Sequence, residues 1–362
     1  MTTKRSFASI IHRLVGGVIL SAGMLLWIPA QAMGPIVNAS ELQGLAGKPN
    51  LKILDIRETK GSPQAPNYEA GHIPGSVSAP YSSFRGDTSN PGQLIPEAKL
   101  SALLSKLGIT PETQIVVTNR GTDPTDFGAA ARVYWTLKVS GFKHLAILDG
   151  GLKAWTTAGY SLTVEKPTIK PSALTLQYDQ SAIVTLDDVS KSIQATAPTK
   201  PKLIDARPTG FFKGEVRHDA ASRYGTLPTA TNLSHDQWFV PKTGQLKSKA
   251  DIEAIAKATG LIQDQETVSF CNTGHWAHQL VHLVRDPGSK GRKNVSRIHG
   301  GLESDQPASS ERSRSRGNAL AGHQKSLLIK TPIFRRLRNR VESGIVAPKE
   351  EEWKPCLFQL VL

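Results

Sequence analysis

Lys52-Ile-Leu-Asp-Ile-Arg57 returns later in the chain, changed only in its apolar residues, as Lys202-Leu-Ile-Asp-Ala-Arg207. In both places a short apolar run ends in an aspartate and an arginine, the pattern of a buried strand that carries charge out at its C-terminal end. The echo continues in order. Thr226-Leu-Pro228 stands where His72-Ile-Pro74 stood, residues 260–271 lie over residues 108–119 without a gap, and His299-Gly-Gly301 follows Asp149-Gly-Gly151. Agreement at several points in one order is the mark of a duplicated unit.

Each unit alternates strands with helices. In the first, residues 115–118 and 145–148 read as further strands, and residues 98–107 as a helix stopped by Gly108. A second helix spans residues 127–139, with Ala130, Val133, Tyr134 and Leu137 on one face, and Trp155 lies on a short third. Such alternation implies an α/β fold in which each mainly parallel sheet has helices on both faces. The expected boundaries are a first domain over residues 36–162, an aperiodic Pro- and Lys-containing linker over 163–174, and a second domain over 175–308. With 362 residues, each domain is expected to bury its own core.

The net charge of +14 would point to nucleic acid or another anionic partner if evenly spread. It is concentrated late, in a basic tail over residues 309–362 with the runs Ser-Arg-Ser-Arg and Arg335-Arg-Leu-Arg-Asn-Arg340, which reads as a disordered segment. No nucleic-acid partner is expected. At the other end, Lys4, Arg5, His12 and Arg13 precede an apolar run over residues 14–28 and the small-x-small site Ala30-Gln-Ala32. This is a signal-peptide pattern over residues 1–32, implying export, periplasmic in a bacterium, with no membrane span after cleavage. An uncleaved anchor is the rival, against which stand the shortness of the run and Pro29.

Chemistry is expected at Thr267-Val-Ser-Phe-Cys271-Asn-Thr-Gly-His-Trp276, where an apolar strand delivers a thiol into a tight loop. A helix starting just beyond would favour the thiolate over the thiol. The competing reading makes Cys271 one more small buried residue at a strand end. The first copy has Asn119 at the matching position, so the second copy would do the chemistry while the first scaffolds, gates or shapes the cleft. Cys271 and Cys356 are the two cysteines; they form no disulfide framework and no C-x-x-C pair, and a bridge between them would silence Cys271. Cys271 and His275 have no further ligands at metal spacing, so neither metal nor cofactor is expected.

Several motifs together resemble the tandem-domain rhodaneses, the thiosulfate and 3-mercaptopyruvate sulfurtransferases. They are Leu54-Asp-Ile-Arg57, Gly71-His-Ile-Pro-Gly75, Ala131-Arg-Val-Tyr-Trp135 and Leu148-Asp-Gly-Gly-Leu-Lys-Ala-Trp155 in the first copy. The second contributes Ile204-Asp-Ala-Arg207, Gly225-Thr-Leu-Pro228, Asp236-Gln-Trp-Phe239 and the cysteine loop. The resemblance implies a ping-pong sulfur transfer in which Cys271 takes sulfur from a small anionic donor as a persulfide and passes it to cyanide or a thiol. It implies a nest of backbone N–H groups from Asn272, Thr273, Gly274, His275 and Trp276, with Gly274 supplying a backbone angle other residues resist. It also implies that Arg207 contacts the donor, with Asp205 nearby.

Arg207 has a plainer reading as the ion-pair partner of Asp205. His275 either binds donor or caps the helix, and Lys213, Arg217, His218 and Arg223 either add positive field or are solvated surface. Related phosphatases close a longer cysteine loop with an arginine, and here none follows Cys271 before Arg285, so phosphatase chemistry is set aside. The donor stays open between thiosulfate and mercaptopyruvate.

Beyond Ala277 the resemblance stops. Family text of the form Ala-Thr-Asn-Trp-Phe, encoded as GCC ACC AAC TGG TTC, becomes Ala-His-Gln-Leu-Val when one C follows the first codon, and that is the sequence from Ala277 to Val281. A frameshift is therefore expected just after Ala277, with the frame returning near Gly291-Arg-Lys-Asn-Val295. The alternative function that follows is a catalytically impaired protein of this fold that binds anions or partner thiols.

Overall fold

The computed structural model describes residues 33–60, 66–87, 90–194, 200–219, 221, 223–261, 266–279 and 296–299. The expected signal peptide, the basic tail with Cys356, and most of the segment assigned to the frameshift lie outside these residues.

The first domain runs β1 (Ile36–Val37), α1 (Ala39–Leu45), β2 (Leu51–Asp55), β3 (Ser76–Ser78), α2 (Glu97–Lys106), β4 (Gln114–Thr118), α3 (Pro124–Val139), β5 (Leu145–Leu148) and α4 (Gly151–Thr157). Its five strands form one parallel sheet in the order β1-β5-β4-β2-β3. The second domain runs α5 (Leu186–Gln194), β6 (Lys202–Asp205), α6 (Thr209–Lys213), β7 (Thr231–Asn232), α7 (Lys249–Ala258), β8 (Thr267–Phe270) and β9 (Ser296–His299). Its sheet is also parallel, in the order β7-β6-β8-β9. Replacing each strand by its repeat turns β3-β2-β4-β5 into β7-β6-β8-β9, so the duplication read from the hexapeptides is a duplication of topology.

Side chains alternate across a strand, so a sheet covered on both faces sends successive apolar residues to opposite cores. Leu54, Ile115, Val117 and Ile147 pack with Leu100 and Leu104 of α2 and Val133 and Leu137 of α3. Their neighbours Ile53, Val116, Ala146 and Leu148 pack with Leu42 of α1 and Trp155 of α4.

Each domain buries a core of its own, the second around Val184, Leu203, Val268 and Phe270, but a further core is shared. The cluster on the α2 and α3 face continues into Ile204, Leu233, Trp238, Phe239, Ile252 and Ala256 of the second domain. Phe127 and Phe239 meet edge to face across the junction, ring centroids 5.3 Å apart. Helix α3 is consequently buried on nearly every side, far beyond the single face read from its periodicity. Asp123 caps its start by accepting from the N–H groups of Thr125 and Asp126.

The linker is no free tether. Thr163 pairs with His72 backbone to backbone, and the His72 ring also reaches the Glu165 carbonyl at 3.0 Å. Farther on, the Leu174 and Leu176 N–H groups donate to the hydroxyls of Ser105 and Ser101 on α2, and the Tyr178 hydroxyl donates to the Ile95 carbonyl. A boundary at residue 175 thus falls inside a strap laid along the first domain.

Candidate active site

Cys271 follows β8 directly; its thiol is free and the residue is 2 % exposed. It packs with Trp135 and Val139 of α3 and with Ala277, where helical backbone begins. The loop between turns on Gly274 at φ +63°, a conformation that glycine adopts without the Cβ penalty. Among the described residues no acceptor takes the backbone N–H of Asn272, Thr273, Gly274, His275 or Trp276. An array of unsatisfied donors beside a thiol suits a sulfur anion.

Asp205 and Arg207 stand beside the loop, joined by two side-chain hydrogen bonds of 2.9 and 2.7 Å. Asp205 is fully buried and also accepts from the Arg207 N–H at 3.0 Å and the Thr226 hydroxyl at 2.6 Å. The other guanidinium contacts are the Gly225 carbonyl at 2.7 Å and the Asn272 Oδ1 at 3.1 Å. Asp55 and Arg57 of the first domain repeat this pair, and Arg57 likewise donates to the carbonyl of Gly71, the counterpart of Gly225. Because the pair occurs in the copy that lacks a thiol, it is first of all a feature of the repeated fold. Arg207 reaches the cysteine loop through Asn272.

His275 neither caps the short helix nor stands free for a ligand. Its Nε2 lies 2.8 Å from the Thr125 carbonyl, which can only accept, so that nitrogen carries the proton. Nδ1 is then an acceptor, and the Tyr81 hydroxyl donates to it at 2.9 Å. Burial, the largest cause, holds His275 neutral, its pKa lowered to about 4. Trp276 stacks on His235, ring centroids 4.4 Å apart, and burial lowers the pKa of that imidazole too. Lys213, Arg217 and Arg223 are exposed.

The sequence reading missed what the first domain brings to this place. Arg85 Nη2 donates to the Thr273 carbonyl at 3.0 Å, and its guanidinium lies 5.2 Å from the Tyr81 ring centre. Gln279 Nε2 donates to the Pro124 carbonyl at 2.6 Å. Arg132 is 1 % exposed, over the Trp135 ring at 4.9 Å. Arg132 had a signal, a lone arginine within the apolar run Ala131-Arg-Val-Tyr-Trp135; Tyr81 and Arg85 sit in an ordinary polar loop and had none.

The corresponding loop of the first domain is closed. Asn119 is buried, and Gly121 packs so tightly that a Cβ there would come within 1.8 Å of the Gly150 carbonyl. Gly244 of the second domain presses on the same loop, where a Cβ would lie 2.6 Å from the Gly121 carbonyl.

The rhodanese-like domain model matches residues 38–158 and 185–306. The chain belongs to the rhodanese-like family. Its second rhodanese-like match continues past Ala277, where the motif resemblance had stopped. The thiosulfate sulfurtransferase of Pseudomonas aeruginosa is 30 % identical over 244 residues, 66 % of this chain and 83 % of that protein. The 3-mercaptopyruvate sulfurtransferase of Escherichia coli K12 is 25 % identical over 244 residues, 66 % of this chain and 84 % of the relative. In fold, the tandem rhodanese-like domains match the crystal structure of SseA from Escherichia coli with a TM-score of 0.61 at 23 % identity, covering 75 % of this chain and all of that one. Sulfur transfer from a donor to an acceptor is the general activity these relatives support.

Proposed function

We propose that this protein is a sulfurtransferase that moves a sulfane sulfur from thiosulfate or a related donor to cyanide or a thiol through a persulfide on Cys271. The observation that carries the reading is a free buried thiol inside a loop whose N–H groups have no acceptor among the described residues. The Cys271 thiolate attacks the outer sulfur of the donor, the donor's sulfur–sulfur bond breaks, and sulfite leaves with the electron pair. The terminal sulfur of the persulfide keeps the negative charge, and the loop N–H groups stabilise it as they stabilise the thiolate. An acceptor then attacks that sulfur; cyanide leaves as thiocyanate and Cys271 is again a thiolate. Asn272, Thr273, Gly274, His275 and Trp276 shape the loop, while Asp205 holds Arg207 and Arg207 holds Asn272.

Intact mass after incubation with thiosulfate or 3-mercaptopyruvate tests the reading: one added sulfur that is absent in Cys271→Ser is expected. Equal thiocyanate production by the wild type and Cys271→Ser would overturn it. The impaired-binder alternative predicts bound anion with no persulfide in either protein.

Export to the periplasm and a shifted reading frame after Ala277 belong to the same proposal. β9 pairs with β8 as β5 pairs with β4, so a shifted frame would have to end before Ser296. Sequencing the mature N-terminus from a periplasmic fraction tests the first, and an uninterrupted frame in independent isolates would sink the second. Among the described residues no helix is long and apolar enough to cross a membrane.

A further inference from the structure

Arg132 has no carboxylate within ion-pair distance among the described residues. Its Nη2 donates to the Gly92 carbonyl at 2.8 Å, and its Nε is buried without an acceptor there. Burial, followed by the charge of Arg85, lowers its pKa to about 10, so it remains charged at neutral pH. A guanidinium out of water with no counter-ion is costly, and it persists where an anion completes the site.

Three further buried donors around the loop lack acceptors among the described residues: Arg85 Nη1, Asn272 Nδ2 and Trp276 Nε1. These four are N–H groups, two of them on cations, against one unpaired acceptor at the site among the described residues, Gln279 Oε1. Asn272 is oriented by the bond its Oδ1 accepts from Arg207, so its amide nitrogen is the group left over. The Tyr81 hydroxyl gives its proton to His275 and turns its lone pairs towards the Arg85 guanidinium, but one neutral hydroxyl offsets neither of the two charges. Cys271 packs with Trp135, over whose ring Arg132 lies, and Arg85 holds Thr273 two residues from the thiol.

We propose that Arg85 and Arg132, both supplied by the first domain, form with the Asn272 and Trp276 side-chain N–H groups a subsite for a doubly charged oxyanion beside Cys271. Such a subsite selects a thiosulfate-type donor over a singly charged carboxylate donor. It rests on Cys271 being the nucleophile. The two charges that the cysteine loop itself lacks come from across the domain junction, while Arg207 is largely consumed by Asp205.

The test compares kcat/KM for thiosulfate and for 3-mercaptopyruvate, with cyanide as acceptor, in the full chain, Arg85→Ala, Arg132→Met and Cys271→Ser. Losing one charge-assisted hydrogen bond should lower the thiosulfate value at least about tenfold more than the mercaptopyruvate value in Arg85→Ala. Arg132→Lys, which keeps the charge, should fall between the wild type and Arg132→Met. Arg85 is only half-buried, so Arg85→Ala keeps the question open to measurement even if Arg132→Met fails to fold. Equal losses with both donors in Arg85→Ala would overturn the dianion subsite while leaving Cys271 as nucleophile. Undiminished transfer by Cys271→Ser would overturn the underlying reading instead.

Discussion

Substituting Gly128 by alanine sets two effects against each other. Gly128 lies inside α3, where alanine is favoured over glycine by about 1 kcal/mol. A Cβ at this position, however, would stand 2.9 Å from Cδ2 and 3.0 Å from Nε2 of His275, and 3.0 Å from Nε2 of Gln279. Carbon contacts relax at about 3.5–4.0 Å, so the imidazole has to retreat by roughly 0.5–1 Å. It cannot swing freely, because both nitrogens are engaged, at 2.9 Å with Tyr81 and 2.8 Å with Thr125. The loop therefore moves with the ring, four residues from the thiol. A displacement of about 1 Å in a reacting geometry costs on the order of a hundredfold in rate. Gly128→Ala should accordingly fall about tenfold to a hundredfold in thiosulfate–cyanide kcat/KM while its far-UV circular dichroism is unchanged and its melting temperature stays within a few degrees. Wild-type kinetics together with a raised melting temperature would show that the helix gain acts alone and that contact with α3 does not set the loop.

Acid should act through His275. The folded pKa of about 4 lies below the ordinary 6.5, so the unfolded chain binds more protons between these values. Stability is full above 6.5 and lost as pH falls towards 4, by up to about 3 kcal/mol. His275→Asn should flatten the slope of urea stability between about pH 7 and pH 5 by close to one proton, and an unchanged slope would count against the buried neutral imidazole. Asp205→Asn leaves Arg207 buried without its partner and should cost about 3–5 kcal/mol in urea unfolding, with Asp55→Asn comparable. An effect below about 1 kcal/mol would mean that the pair is solvated after all. Introducing a thiol by Asn119→Cys in a Cys271→Ser background should give no persulfide with thiosulfate, because Gly150 and Gly244 close that loop; sulfur on residue 119 by mass spectrometry would refute this.

The sequence carried the sheets, the duplication and the place of Cys271 directly after a strand, because strand periodicity, glycine placement and the Asp-Arg pairs are local. Gly108 and Gly260, aligned by the repeat, have φ of +69° and +70°. What could not be read locally is what crosses between the copies. The burial of α3 on its second face, the hold of Tyr81 and Thr125 on His275, and the approach of Arg85 and Arg132 all join residues far apart in the chain. The role the resemblance gave Arg207 met the same limit, since only geometry shows how fully Asp205 occupies it.

Helix α3 is a roof to one sheet and a floor to the cysteine loop of the other. The copy without a thiol is thereby denied the freedom that duplication usually grants. A change on the second face of α3 leaves the first sheet intact and is felt at the thiol. Changes that sort as loss of activity with normal folding should therefore cluster in the half of the chain that lacks the thiol.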